Sequence, residues 1–135
     1  KKISIPIIHI AEATADALKE NGIEKVGLLG TKYTMTQEFY KSKLIEAGIE
    51  AVIPDEAGVT VVNNIIYNEL CLGIISEESR KKFVNIIKQL EKAGAQGVIL
   101  GCTEIGLLIH QKDVEIPVFD TTQIHATKAA LLAIE

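Results

Sequence analysis

Cysteine is scarce in this chain: 135 residues contain only Cys71 and Cys102. Two cysteines are too few for a disulfide scaffold, and a reducing cytoplasm is the expected setting. No apolar run reaches the ~18–20 residues of a membrane span, and no signal-peptide pattern precedes the first apolar stretch. A membrane partner is therefore not expected. Basic residues do not dominate: 14 Lys and Arg stand against 18 Asp and Glu, for a formal charge of −4. A nucleic-acid surface needs clustered Lys and Arg, so a nucleic-acid partner is not expected either. The one basic run, Arg80-Lys81-Lys82, lies in a helical pattern behind Glu77 and Glu78 and reads as a solvated face. Neither a G-x-G-x-x-G loop nor a Walker loop occurs. His9, His110 and His125 lack metal-ligand spacing, and no second Cys lies near any of them. Internal repeats, low-complexity tracts and linkers are also missing. The chain opens at Lys1 rather than Met, as expected of a processed chain or of part of a longer one.

What is present is a large apolar fraction, 47%, in runs that alternate with helical patterns. That alternation predicts a single α/β domain over 1–135, a Rossmann-like three-layer unit with a mostly parallel sheet of about four strands. Candidate strands are Ile5 to Ile10, Lys25 to Leu29, Ala51 to Ile53, Gly97 to Leu100 and Val118 to Phe119. "KVGLLG" and "GVILG" are apolar throughout, as strands covered on both faces are. Helices are expected from Ile10 to Asn21, from Thr34 to Gly48, from Val59 to Leu72 and from Ser76 to Gly94. A short helix should follow Thr103, and a last one should begin near Thr122. Thr34 and Gln37 have capping-box spacing. Cys71, between Leu70 and Leu72, reads as a packed thiol.

In an open parallel sheet, ligands bind beyond the carboxyl ends of the strands. Two segments leave strands there with reactive or anion-binding contents. Gly30-Thr31-Lys32-Tyr33-Thr34 offers two hydroxyls beside helix N-terminal N–H groups, a natural cradle for a carboxylate or phosphate. The alternative is that Thr34 only caps the helix and Thr31 only shapes the turn. Gly101-Cys102-Thr103-Glu104 places a thiol where a helix opens, and the helix dipole should favour thiolate and lower its pKa. Thr103 can donate to an anion, and Glu104 can assist proton transfer or orient an ammonium group. The alternative is a buried structural cysteine. His9, at the end of the first candidate strand, and His125, in the first turn of the last helix, are cleft candidates with structural alternatives. Asp120, at a strand end, belongs to the site or caps the last helix.

Four segments together resemble the aspartate/glutamate racemase family: "IPIIHIAEAT" at 5–14, "VGLLGTKYTM" at 26–35, "GAQGVILGCTEIGLLI" at 94–109 and "IPVFDTTQIHA" at 116–126. "GCTEI" after an apolar strand is the most specific. The likeness runs along essentially the whole chain and is closest to bacterial broad-specificity aspartate/glutamate racemases. The resemblance implies a pair of similar α/β domains facing each other across a cleft, with this chain as the second. The helix from about 122 to 135 would pack back toward the first domain. It further implies proton transfer at an acidic amino acid without any cofactor or metal, and homodimers of the complete enzyme. Cys102 matches the second catalytic cysteine, Thr103 the residue that helps hold the substrate carboxylate, Thr31 and Thr34 the loop bordering the substrate, and Glu104 an acid beside the cysteine. The family's Gly-rich opening strand and its Asn-Thr-containing first catalytic motif have no counterpart here. An isolated chain is therefore expected to be inactive. Hydantoin racemases, maleate isomerases and arylmalonate decarboxylases share the architecture, and a non-catalytic α/β binding module is the reading from another class.

Overall fold

A computed structural model describes residues 7–36, 38–102 and 104–121. Among them, Lys25–Leu29 (β1), Glu50–Val52 (β2), Val98–Leu100 (β3) and Val118–Asp120 (β4) form one sheet in the order β2-β1-β3-β4. Every pairing is parallel. β1 and β3 are the inner pair, and this explains their unbroken apolar character. β3 is buried along its length and β1 from Val26 onward, so neither has a solvent face on which a polar residue would be favoured.

Side chains alternate along a strand, and the two sheet faces bury different cores. Val26, Leu28, Ile99 and Phe119 pack with Ala15, Leu18, Tyr40 and Leu44. These come from helices Ile7–Glu20 (α1) and Glu38–Glu46 (α3). Leu29, Val98 and Leu100 pack on the other side with Val59, Val62, Phe83, Ile87, Leu90 and Ile105. Those belong to Glu56–Asn68 (α4), Glu77–Lys92 (α5) and Ile105–Leu108 (α6). The result is the three-layer arrangement expected from the sequence. Phe83 has no solvent exposure, and burying a side chain of that kind contributes roughly 1.5–3 kcal/mol. α5 starts at Ser76, whose hydroxyl accepts from the Ser79 N–H at 3.3 Å. It stops before Gly94, at φ 107, a backbone region that L side chains rarely adopt.

Several boundaries differ from expectation, each for a local reason. Of the candidate strand Ile5 to Ile10, the residues from Ile7 onward are the first part of α1, and Ile5 and Pro6 lie outside the described residues. A short apolar run does not distinguish strand from helix. Here the run leads directly into Ala13, Thr14, Ala15 and Leu18, whose helical spacing buries one face. His9 therefore lies inside a helix and not at a strand end. The helix expected from Thr34 is described as Lys32–Thr36 (α2) and α3, on either side of residue 37, which lies outside the described residues. Its cap is Thr31, whose hydroxyl accepts from the Thr34 N–H at 3.2 Å; Thr34 is internal. α4 begins three residues earlier than expected, where Asp55 Oδ1 accepts from the Gly58 N–H at 2.8 Å. The strand expected at Ala51 to Ile53 is shifted by one residue, to β2. Cys71 is exposed rather than packed. It sits in a 3₁₀ turn, Leu70–Leu72, which buries Leu70 and leaves Leu72 outside. Thr103, Thr122, His125 and the last helix lie outside the described residues.

Candidate functional site

β1 and β3 are neighbours and parallel, so the loops leaving their carboxyl ends lie side by side. The pairing continues one step past the strands, where the Gly101 N–H donates to Leu29 O at 2.7 Å. Gly101 is required by this approach. A Cβ there would stand 2.9 Å from Leu29 O, a backbone atom that cannot yield, and 3.5 Å from Thr34 Cγ2. The structure thus brings the Thr31–Thr34 loop against the residue preceding Cys102. Thr121 ties β4 to the same end of the sheet, with its hydroxyl donating to Leu100 O at 3.2 Å.

The loop uses most of its own hydrogen-bonding capacity. Thr31 and Thr34 hydroxyls share one hydrogen bond at 3.1 Å, and Thr31 Oγ1 also accepts from the Thr34 N–H. Two hydroxyls carry two hydrogens, so one remains to donate to a ligand. Both threonines are half-buried. The Lys32 N–H is taken by Asn63 Oδ1 of α4 at 2.7 Å.

Cys102 is partly buried, and its thiol donates to Glu104 Oε1 at 2.9 Å. The expectation of a lowered thiol pKa is overturned: it is pushed up to about 11. Burial is the largest cause, followed by the hydrogen bond to the Glu104 carboxylate, whose negative charge also disfavours thiolate. The backbone N–H groups of Glu104 and Ile105 pull the other way but are outweighed. The helix dipole fails to dominate because α6 has only 4 residues and starts at Ile105, beyond the cysteine. The same hydrogen bond holds the Glu104 carboxyl below the usual carboxylate range. The resting site is therefore a neutral thiol hydrogen-bonded to a carboxylate.

Asp120, which pairs with Leu100 across β3 and β4, reaches α6: its Oδ2 lies 2.7 Å from where a Cβ on Gly106 would sit. His110 is on the far side of α6, half-exposed and 3.6 Å from Asp113, which leaves it a surface role. Among the described residues, no group of three His, Cys, Asp or Glu could hold a metal ion. No helix among them is long and apolar enough to cross a membrane. Sequence reasoning missed Asn63 and the approach of Asp120 to Gly106. For Asn63 the only signal was a polar residue within the apolar run "VVNNII".

The site can be set beside known proteins. The profile of the Asp/Glu/Hydantoin racemase family matches residues 1–129. A crystal structure from Yersinia pestis assigned to Asp/Glu racemase superposes with a TM-score of 0.90 at 55% identity, over 95% of this chain and 56% of that one. An aspartate racemase homologue from Pyrococcus horikoshii gives 0.87 at 43% identity, over 93% of this chain and 55% of that one. Glutamate racemase of a Carnobacterium strain is 28% identical over 109 residues, which are 80% of this chain and 39% of that protein. The chain spans about half the length of the solved structures it matches.

Proposed function

Because this chain belongs to the Asp/Glu/Hydantoin racemase family, we propose that it supplies one half of a site that racemises an acidic amino acid, aspartate or glutamate, by two-base proton transfer. The observation that carries the reading is the Cys102 thiol hydrogen-bonded to Glu104 where the β1 and β3 loops meet. An amino acid's α-proton is weakly acidic, so inversion needs a base on one face and an acid on the other. With its thiol pKa raised to about 11, Cys102 rests as the acid. It delivers its proton to the α-carbon as a group on the opposite face, from outside these 135 residues, removes the original one. The S–H bond breaks, a new Cα–H bond forms, and Cys102 is left as thiolate. In the reverse direction that thiolate is the base. The Glu104 carboxylate beside it makes the thiolate a stronger base than an ordinary one. Thr103 and the remaining hydroxyl hydrogen of the Thr31–Thr34 pair would hold and orient the substrate carboxylate.

The mechanism uses no cofactor and no metal. Its partners are the small amino-acid substrate and a second copy in a homodimer of the complete enzyme, in the cytoplasm. Replacing Cys102 by Ala in a complete protein that contains this chain should lower racemisation of aspartate and glutamate by at least ~10²–10⁴-fold, the usual worth of a general acid or base. Chiral chromatography of both enantiomers in both directions checks this, and wild-type rates in both directions would sink the proposal. The family name also covers hydantoins, so hydantoins belong in the same assay as competing substrates.

A further inference from the structure

Thr31 and Thr34 stand at the start of α2, and contacts from outside that helix bear on where they sit. Two such contacts come from α4. Met35 of α2 is buried in the same core as Val59, Val62 and Ile66 of α4. Asn63 Oδ1, midway along α4, accepts the Lys32 N–H at 2.7 Å. That N–H is one of the donors a helix start leaves without an internal partner. The bond joins two separate connections of the sheet, since Lys32 follows β1 and Asn63 follows β2. α4 is a firm support: Asp55 caps it, and Val59, Val62, Ile65 and Ile66 are buried.

We propose that Asn63 is a positioning residue whose side-chain carbonyl holds the Thr31–Thr34 hydroxyls at their working distance from Cys102. The inference rests on the racemase reading of the site. Asn63 acts through the Lys32 N–H and not on the reacting atoms. If the bond is lost, the loop is free to shift over Gly101, against which Thr34 is packed. Hydroxyls that hold the substrate carboxylate act in ground state and transition state alike, so their displacement raises KM more than it lowers kcat. A merely destabilising substitution would instead reduce the folded fraction, lowering apparent kcat and leaving KM unchanged.

The test uses the complete enzyme with Asn63→Ala and Asn63→Asp. Alanine favours helix and keeps α4 intact; aspartate keeps an oxygen acceptor in place. Racemisation of aspartate and glutamate is followed by chiral chromatography, and exchange of the Lys32 amide by mass spectrometry. Asn63→Ala should raise KM by about three- to tenfold, the worth of one neutral hydrogen bond, with kcat little changed. Lys32 exchange should accelerate in Asn63→Ala and stay slow in Asn63→Asp. An active Asn63→Ala enzyme with unchanged KM, or Lys32 exchange equal in all three proteins, overturns the inference alone. A wild-type enzyme that racemises neither amino acid overturns the racemase reading, and this inference with it.

Discussion

The thiol of Cys102 and the carboxylate of Glu104, 2.9 Å apart, set each other's proton affinity in opposite directions. Thiolate is the species that alkylates. Iodoacetamide should therefore react slowly with Cys102 at neutral pH, with a rate that climbs toward a midpoint near 11. Exposed Cys71 serves as an internal comparison in the same digest. Glu104→Gln removes the negative charge and weakens the pull on the thiol proton. The Cys102 midpoint should fall, yet stay above the ordinary thiol value because burial is the larger cause. A midpoint that does not move in Glu104→Gln would contradict this pairing. The sign for stability follows from the raised folded-state pKa. The contribution is present below the unfolded thiol's pKa and is lost as pH rises through about 11. At this scale the sequence singled out the cysteine and its acidic neighbour, which the structure joins by a hydrogen bond. It gave the wrong direction for the pKa because a strand-to-helix junction suggests a dipole, and only the fold reveals that the helix is one turn long.

Elements were legible wherever periodicity and caps agreed. Ser76, Glu77 and Glu78 announce α5, and Phe83, Ile86, Ile87 and Leu90 are its buried stripe. β1 was placed residue for residue, because an inner parallel strand must be apolar on both faces. The candidate strand Ile5 to Ile10 was misassigned from Ile7 onward, because its apolar run, read alone, fits either period. The start of α4 was set too late because Gly58, a poor helix former, lies in its first turn. There Gly58 is useful: a Cβ would stand 2.7 Å from Pro54 Cβ, and its N–H reaches Asp55 Oδ1. Asp55→Ala should lose that cap at a cost of about 1 kcal/mol. Melting followed by circular dichroism should then show Tm lower by roughly 3–6 °C for a domain of this size. An unchanged Tm would mean that the cap contributes nothing and that α4 is held by its core residues alone.

At the scale of the molecule, the proposed mechanism gives Cys102, Glu104 and the Thr31–Thr34 loop one face of an α-carbon, and this chain spans 56% of the Yersinia pestis structure it matches. The 135 residues by themselves should fold, because both faces of the sheet are covered, yet give no racemase turnover. Incubation with L-aspartate or L-glutamate and chiral chromatography checks this. Turnover by the purified chain would show that the opposite-face group is supplied from within it or by a second copy.

The sequence alone determined the fold class, the two inner strands and the family, since these depend on local patterns: unbroken apolar runs, caps, stop glycines and "GCTEI". Tertiary structure alone decided that the β1 and β3 loops touch through Gly101 and Thr34, that Asn63 from a third connection holds the Lys32 N–H, and that Cys102 rests as a thiol. The physical reason is that distance and burial depend on which strands become neighbours. Residues 34 and 101 are far apart in the chain and come together only once β1 pairs with β3.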